Sequence, residues 1–308
     1  MTDAASSGDL KYTRQTVTAR TSWQSAKLFS LRITRDPAFQ FQPGQFARLG
    51  LALGQEHLSP EDRIPNEWRA YSMVSHPSEA ELEFFSVAVP EGQFSPVMAN
   101  LQVGDPIWVD KTSFGFLTLE RFVDGQDLWL ISTGTGLSAF LPMLRDPTTW
   151  QRFARVLVVH GVRHASELAY RDEILACLHK QANASAGKLL YLPMTSQEPT
   201  TQALSPSLPA ETLAPARLTT LLESGELEQR AQLGDVQQEA KLIAGIFQHD
   251  HLPSFFERLL VKKEQQHTKP HERQHAPPDQ AFKIPLQRHA CGCDLRRIGL
   301  FQQIPGPA

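Results

Sequence analysis

The sequence is poor in cysteine, and this excludes one class of protein. Its 308 residues include three Cys, at positions 177, 291 and 293. Three are too few for the disulfide framework that stabilises small secreted domains. A reducing compartment suits such a chain, and we expect the cytoplasm.

Long apolar runs and an excess of basic residues are also missing. No stretch reaches the ~20 apolar residues that a transmembrane helix needs, and residues 1–10 lack the apolar core of a signal peptide. Thirty Lys and Arg face 33 Asp and Glu, a formal net charge of −3, whereas nucleic-acid binders are markedly basic. We therefore expect no membrane and no nucleic-acid partner. A mass of 34.5 kDa is typical of two domains.

The first third of the sequence has the pattern of short β-strands. Phe29, Leu31 and Ile33 alternate with polar residues, the period of a half-buried strand. Further apolar runs, separated by turn residues, lie at residues 46–49, 82–89 and 107–109. The pattern predicts a small antiparallel barrel over residues 15–123, after a flexible N-terminus of residues 1–14.

From about residue 124 the pattern changes to alternating strands and helices. Continuous apolar runs, as in strands buried on both faces, lie at residues 128–131, 156–159 and 189–192. Helical spacing follows the first run over residues 137–144 and the second over residues 166–181. This order predicts a parallel-sheet α/β domain over residues 124–235.

A glycine turn, Thr133-Gly134-Thr135-Gly136, joins the first buried strand to the helical spacing after it. Glycines let a backbone approach a phosphate closely, and a helix N-terminus offers N–H groups to it. However, the third glycine of the dinucleotide fingerprint is absent, and a tight strand-to-helix turn needs glycine for steric reasons alone. The turn by itself leaves both interpretations open.

The segment Arg69-Ala70-Tyr71-Ser72 is a second candidate site. Arg69 could hold a pyrophosphate, and Tyr71 lies two residues along on the same strand face, where its ring could stack on a flat heterocycle. The Ser72 hydroxyl could reach a ring nitrogen. By spacing alone, a plain strand with an exposed Arg and a packed Tyr is the simpler interpretation.

The order of motifs along the chain points further. They are Pro43-Gly44-Gln45-Phe46, Arg69-Ala70-Tyr71-Ser72-Met73-Val74-Ser75, Glu83-Phe84-Phe85-Ser86-Val87, Gly92-Gln93-Phe94-Ser95, Gly104-Asp105, Thr133-Gly134-Thr135-Gly136, His160-Gly161-Val162-Arg163 and Glu167-Leu168-Ala169-Tyr170. In this order and at these spacings the chain resembles the bacterial ferredoxin (flavodoxin)–NADP(H) reductases over about residues 15–233. The resemblance implies an antiparallel FAD-binding barrel followed by an α/β NADP(H)-binding domain.

The resemblance also implies a set of FAD contacts. Arg69 would bind the pyrophosphate, and Ser72, with Tyr71, would form the catalytic contacts near flavin N5. Thr135 would lie where flavin and nicotinamide meet. The complete set implied for FAD is Arg69, Ala70, Tyr71, Ser72, Phe85, Ser86, Val87, Gln93, Phe94, Ser95 and Thr135.

The residues implied for NADP(H) come from the second domain. They are Gly134, Thr135, Gly136, Val162, Arg163, Ser196 and Arg217. Gln197 departs from the family, which has an Arg before Glu198. A 2′-phosphate is best held by guanidinium groups, so losing one should weaken the preference for NADP over NAD by ~1–3 kcal/mol. We expect NADP to remain preferred because Arg163 and Arg217 persist.

The last part of the sequence, residues 236–308, does not match the family. Residues 242–247 could form a strand, but the family's Cys-Gly-Asn/Ser-Pro turn does not follow it, and basic residues are in excess. One interpretation is that the family's C-terminal segment has been replaced here, and our hypothesis is a shifted reading of the gene after about residue 233. The other interpretation is a disordered tail. Its residues His267, His271, His275, Cys291 and Cys293 are not expected to bind a metal, because prolines interrupt their spacing and Cys-x-Cys suits zinc poorly.

Three functions follow from this sequence. The resemblance implies hydride transfer between NADP(H) and FAD, with ferredoxin or flavodoxin as the electron partner of a monomeric enzyme. A reductase component that serves an oxygenase or haem partner is the nearest alternative. A non-catalytic FAD-binding protein is the third, because the end of the NADP domain departs from the family.

Overall fold

The first six strands form one curled antiparallel sheet. The computed structural model of the protein describes residues 11–23, 27–59, 61–122, 125–181, 188–230 and 241–246. The strands are β1 (Tyr12–Ser22), β2 (Leu28–Thr34), β3 (Phe46–Leu51), β4 (Glu67–Ser72), β5 (Glu81–Val87) and β6 (Pro106–Asp110), in the spatial order β4-β3-β6-β1-β2-β5. A short helix, α1 (Ser95–Asn100), follows β5.

The sheet curls because its two edge strands meet. Met73, just after β4, bridges Phe84 on β5, and the N–H of Val74 donates to the carbonyl of Glu83 at 2.8 Å. The inward side chains of the alternating strands, such as Phe29, form an apolar core. This curled sheet confirms the predicted antiparallel barrel.

Strand β1 was missed by the sequence pattern. It begins at Tyr12, inside the stretch expected to be flexible, and reads Tyr-Thr-Arg-Gln-Thr-Val-Thr-Ala-Arg-Thr-Ser. Its periodicity is masked because one of its two buried residues is Gln15 and the other is Val17. Threonine favours strands, but the apolar alternation was absent.

The second sheet is parallel and carries the helices. Its strands are β7 (Gly125–Thr133), β8 (Phe153–Val162), β9 (Lys188–Thr195) and β10 (Lys241–Ile246), in the order β10-β7-β8-β9. The helices are α2 (Leu141–Arg145), α3 (Pro147–Arg152), α4 (Arg171–Gln181), α5 (Leu218–Ser224) and α6 (Glu226–Arg230). The predicted parallel α/β arrangement is confirmed.

Strand β10 lies beyond the residue at which the sequence places the end of the α/β domain. It pairs in parallel with β7, with Ile243 opposite Trp129. The parallel sheet therefore extends past residue 235, and residues 242–246 of the apolar run form most of this strand. Residues 247–308, with the histidines and cysteines considered for a metal site, lie outside the described residues.

Two predicted helices begin later or differ in form. The helix expected over 166–181 begins at Arg171, because Tyr170 has a positive φ of 59°, which a helix cannot contain. The helix expected over 137–144 is a 3₁₀ segment, Gly134–Ala139, followed by α2. Short 3₁₀ segments are common where a chain leaves a strand for a helix.

The two sheets share one apolar core at their seam. Leu28, Val74 and Phe85 of the barrel pack in the same cluster as Leu137 and Phe140 of the second half. The candidate site lies along this seam. Within the described residues, no helix is both long and apolar enough to cross a membrane.

Candidate functional site

Strand β4 presents Arg69 and Tyr71 on one face and Ala70 and Ser72 on the other, because side chains alternate along a strand. Its ladder with β3 places Tyr71 opposite Ala47 and Ser72 opposite Phe46. The Arg69 guanidinium is about half exposed. It donates to the Glu67 carboxylate at 3.1 Å and to the carbonyl of Trp68 at 2.8 Å. Such an exposed pair holds a guanidinium weakly, so Arg69 can bind an anion.

Tyr71 is mostly buried and packs against the loop that precedes α1. Its ring centroid lies 5.8 Å from that of Phe94, at 31° between the ring planes. Burial raises the pKa of Tyr71 to about 12, although a hydrogen bond with Ser86 and the charge of Arg69 oppose the shift. The phenol is therefore neutral at physiological pH, and its aromatic face can serve as a stacking surface.

Strand β5 lies beside the end of β4 and supplies Phe85, Ser86 and Val87. Phe85 and Ser86 are buried, and Val87 is half-buried. Their backbone is held by the β2 ladder, in which Phe85 pairs with Ser30 and Ser86 with Phe29. These residues can offer backbone groups of fixed position.

The loop after β5 is closed by Ser95. Its hydroxyl accepts a hydrogen bond from the N–H of Val89 at 3.0 Å, so the ends of the segment 89–95 are tied together. Phe94 is buried under Tyr71, whereas Gln93 is exposed at the loop surface. The contact of Phe94 with Tyr71 therefore anchors the loop that carries Gln93 and Ser95.

The glycine turn brings the second half of the molecule to this place. The 3₁₀ segment that starts at Gly134 contacts both β4 and β5. Gly134 has a positive φ of 50°, and Thr135 and Gly136 are buried. The hydroxyl of Ser138 lies 3.5 Å from the carbonyl oxygen of Phe85. The structure thus brings together β4, β5 and residues 134–136 at the seam.

A second group of predicted residues lies at the carboxyl ends of the parallel strands. The N–H of Ser196 donates to the carbonyl of Val162, and the N–H of Gln197 to that of Arg163, both at 3.0 Å. Val162 is buried, so its side chain contributes packing. Loops at the carboxyl ends of parallel strands are where α/β sheets bind ligands.

The two arginines of this group are held differently. Arg163 donates through its guanidinium to Glu167 at 2.8 Å and through its backbone N–H to the same carboxylate at 3.0 Å. Arg217 is exposed at the start of α5, near Ser196 in the fold, because the N–H of Ala216 donates to the carbonyl of Thr195 at 3.1 Å. Gln197, which lies between Arg163 and Arg217 in the sequence, is exposed. Guanidinium and hydroxyl groups are suited to binding phosphate, and these backbone hydrogen bonds bring the segments that carry them to the same end of the parallel sheet.

Several residues that matter for this geometry were missed by the sequence pattern. The Tyr170 hydroxyl lies 2.5 Å from that of Ser30 and donates to the Glu83 carboxylate at 2.8 Å. Its ring packs on Trp23 at 4.8 Å and edge-on to Phe85 at 5.3 Å. Burial raises the pKa of Tyr170 well above its ordinary value. Tyr170 therefore ties the second half of the molecule to strands β2 and β5.

Arg145 makes a second tie across the seam. Its guanidinium donates to the carbonyl of Val74 at 2.7 Å and to the carboxylate of Glu79 at 3.0 Å, while Glu173 holds it from α4. The only available sequence signal for Tyr170 was its place in the motif 167–170, and Arg145 had none. Contacts between residues this far apart in the chain are invisible to local patterns.

Among the described residues there is no group of three or more His, Cys, Asp or Glu that could hold a metal ion.

Comparison with protein families matches residues 130–225 to the oxidoreductase NAD-binding domain. The chain is 36% identical over 219 residues to ferredoxin–NADP reductase A of Sorangium cellulosum (strain So ce56), covering 70% of this chain and 71% of that one. It is 38% identical over 175 residues to a ferredoxin–NADP reductase of Pseudomonas aeruginosa (PAO1), covering 56% and 64%. The match therefore spans roughly two thirds of the length of these relatives.

Among solved structures, the fold is similar to a crystal structure of a ferredoxin NADP⁺ reductase from Neisseria gonorrhoeae with bound FAD and NADP. The TM-score is 0.69 at 26% identity, over 96% of this chain and 99% of that one. The cytochrome P450 reductase GcoB of Amycolatopsis shares the fold at 16% identity, with a TM-score of 0.61, over 96% of this chain and 71% of that one.

Proposed function

The chain belongs to the ferredoxin–NADP reductase family, and from this premise we propose that it is a flavoenzyme that passes electrons between NADP(H) and ferredoxin or flavodoxin. The observation that carries the proposal is the contact of the glycine turn with strands β4 and β5. This contact joins a surface suited to a flavin with a surface suited to a nicotinamide nucleotide. Neither surface alone would support electron transfer between two cofactors.

The barrel side of the seam fits FAD in its chemistry. The exposed guanidinium of Arg69 suits a pyrophosphate, the neutral ring of Tyr71 suits the face of an isoalloxazine, and the hydroxyl of Ser72 suits a ring nitrogen. The loop with Gln93 and Ser95 lies beside Tyr71 through Phe94. We assign Ala70, Phe85, Ser86 and Val87 to backbone and packing contacts with the same cofactor.

The strand-end side fits a phosphorylated nicotinamide nucleotide. Arg163 and Arg217 offer guanidinium groups and Ser196 a hydroxyl for a 2′-phosphate, and Val162 offers its backbone. Gly134, Thr135 and Gly136 would contact the nicotinamide end. Gln197 replaces a charged contact with a neutral one, so we expect a smaller discrimination against NADH than a third guanidinium group would allow.

When bound, FAD supplies a two-electron acceptor that can take a hydride from the nicotinamide and release electrons singly. The chain itself would hold the cofactors in position and shield them from water. Tyr71 would hold the ring by stacking, Ser72 would donate to its N5 from a buried strand end, and Thr135 would lie where the two rings meet at the seam. Holding reactants in reacting geometry is the main source of such a rate enhancement.

The electron partner and setting are proposed from the same premise. Relatives carry the name ferredoxin–NADP reductase, which supports ferredoxin as partner, and flavodoxin is the second partner we propose. We further propose a cytoplasmic setting, because three cysteines suit a reducing compartment, and no nucleic-acid partner, because basic residues are not in excess. We also propose a monomer with no membrane partner.

Anaerobic stopped-flow reduction of the purified full chain tests the proposal. The protein should carry flavin absorbance, and NADPH should bleach it faster than NADH does. The reduced enzyme should then pass electrons to ferredoxin or flavodoxin. A chain that takes up no FAD contradicts the proposal, and one that binds FAD but is not bleached by either nucleotide is an inert flavoprotein. Bleaching followed by transfer only to an oxygenase component would contradict the proposed partner.

A further inference from the structure

Two neighbouring carbonyl groups of the glycine turn each accept a hydrogen bond from a buried side chain. The Nε2 of His160, at the end of β8, lies 3.0 Å from the carbonyl oxygen of Gly134. The hydroxyl of Ser138 donates to the carbonyl of Thr135 at 2.5 Å. His160 is fully buried and Ser138 nearly so. The backbone at the seam is therefore held from within the second half of the molecule.

The tautomer of His160 follows from its partner. A carbonyl oxygen can only accept, so Nε2 must carry the proton. Burial lowers the pKa of His160 to about 4, although the hydrogen bond to Gly134 and the charge of Glu167 oppose the shift. The imidazole is consequently a neutral donor at physiological pH and has no proton to exchange in the reaction.

The other ring nitrogen shows that His160 is not there to fill space. Nδ1 is buried and has no hydrogen-bond partner within the part of the chain that the structure describes. Leaving a buried polar atom unpaired destabilises a fold. An apolar residue would continue the preceding run, Val156-Leu157-Val158-Val159, without this cost. The benefit of a histidine must therefore lie in its one donated hydrogen bond.

That hydrogen bond controls the direction of a peptide group. In a planar trans peptide the N–H points opposite to the C=O, so anchoring the carbonyl of Gly134 fixes where the N–H of Thr135 points. The anchor of Ser138 does the same for the N–H of Gly136. Gly134 has a positive φ, a conformation in which the flexible glycine backbone would otherwise have alternatives. The two anchors select one orientation of the turn.

We propose that His160 is a positioning residue for hydride transfer, which holds the glycine turn in the one orientation that aligns the nicotinamide with the flavin. The proposal rests on the proposed function and deepens it, since it names what fixes Thr135 at the junction. Ser138 assists through the neighbouring carbonyl. Apart from Thr135, the FAD contacts proposed above come from the barrel, so FAD should stay bound without this anchor.

The test compares holoenzyme variants at position 160. His160→Leu removes the donor and the unpaired nitrogen, whereas His160→Gln keeps an N–H near the position of Nε2. We expect the Leu variant to retain FAD and its spectrum, while the limiting rate of anaerobic flavin reduction by NADPH falls about tenfold. The Gln variant should recover to within about threefold of the parent. The rate deficit should not change between pH 6 and pH 8.

A second half-reaction separates positioning from general damage. Electron transfer from chemically reduced flavin to ferricyanide does not use the turn, so its rate should be the same in all three proteins. A Leu variant that binds FAD and is reduced by NADPH at the parental rate overturns the proposal, as does equal slowing of the ferricyanide step. If the parent itself is not bleached by NADPH, the proposed function fails instead.

Ser138→Ala provides the independent measurement if the Leu variant does not fold. It removes the companion anchor but no buried ring. We expect a decrease of about threefold in the same reduction rate with unchanged FAD content. An unchanged rate in Ser138→Ala would overturn the assistance of Ser138, and in the absence of a folded Leu variant it would overturn the proposal as a whole.

Discussion

The barrel side and the strand-end side of the candidate site are built in different ways. On the barrel side, Arg69, Tyr71 and Ser72 lie on a regular strand whose ladder with β3 already fixes their positions. On the other side, Arg163 and Ser196 lie in loops beyond the strand ends. There, hydrogen bonds from side chains hold the backbone in position, as the strand ladder does on the barrel side. Glu167 holds the N–H of Arg163 at 3.0 Å, and Glu198 holds that of Ala165 at 2.5 Å.

The difference shows which segments of the site need additional hydrogen bonds to fix their geometry. A strand positions side chains through its neighbours, whereas a loop requires a separate anchor for each segment. Buried donors such as His160 and carboxylates such as Glu167 meet this need on the strand-end side. Substitutions should therefore act locally on the barrel side, and through backbone orientation on the strand-end side.

The largest effect on stability is expected at the seam between the two sheets. Gly44 has a φ of +94°, and a Cβ there would lie 1.8 Å from the carbonyl oxygen of Leu117 and 2.4 Å from Cε of Met143. Gly44→Ala should cost at least about 4 kcal/mol of unfolding free energy, measured by denaturant or thermal unfolding. Gly54→Ala is the matched control, because Gly54 also has a positive φ but nothing within 4 Å. It should cost about 1 kcal/mol. Equal losses in the two variants would contradict a tight seam.

Acid should lower the unfolding free energy of the chain through His160. Its pKa falls from an ordinary 6.5 to about 4 in the folded chain, so between these values the unfolded chain binds more protons and stability rises with pH. Stability is thus lost as the pH falls from about 6.5 to about 4, by about 3 kcal/mol from this group. The unfolding free energy of the His160→Leu variant, measured over this pH range, should lack the part of the pH dependence that His160 contributes. A parental slope in the variant would assign the acid sensitivity to other groups.

Removing the guanidinium of Arg69 tests the barrel side alone. Arg69→Ala should weaken FAD binding by about 2 kcal/mol, roughly 30-fold in Kd, because a charge-assisted contact with the pyrophosphate is lost. Fluorescence titration of the apoprotein with FAD measures this. Arg48→Ala is the control, since Arg48 on the adjacent strand is equally exposed and pairs with Asp110 at 3.8 Å. Similar weakening in both variants would indicate a general charge effect.

The smallest expected effect distinguishes the two nucleotides. Arg217→Gln should raise the KM for NADPH about tenfold, a loss of about 1–2 kcal/mol, and leave the KM for NADH unchanged. Gln197→Arg should shift the preference in the opposite direction by restoring a guanidinium. Steady-state kinetics with both nucleotides measure the ratio. Parallel changes for NADH and NADPH would place Arg217 away from the 2′-phosphate.

Local pattern predicted most strands of the fold. The runs at 128–131, 156–159 and 189–192 became β7, β8 and β9, because strands buried on both faces need continuous apolar sequence. It missed β1, whose buried positions include a glutamine, and it started α4 too early, because no local signal marks the positive φ of Tyr170. It placed the domain boundary at residue 235 but allowed a strand at 242–247, where the structure has β10. The motif order supplied the candidate site residues, whose roles stay predictions.

The sequence by itself determined the fold class, the family resemblance and the residue types available at each candidate site, because periodicity, turns and motif order are local properties. Only the tertiary structure decided what holds them together. Tyr170 reaches Glu83 across 87 positions, Arg145 reaches Val74 across 71, and His160 reaches Gly134 across 26. Such contacts depend on how two sheets pack, and packing is set by the sum of many weak interactions that no single stretch of sequence contains.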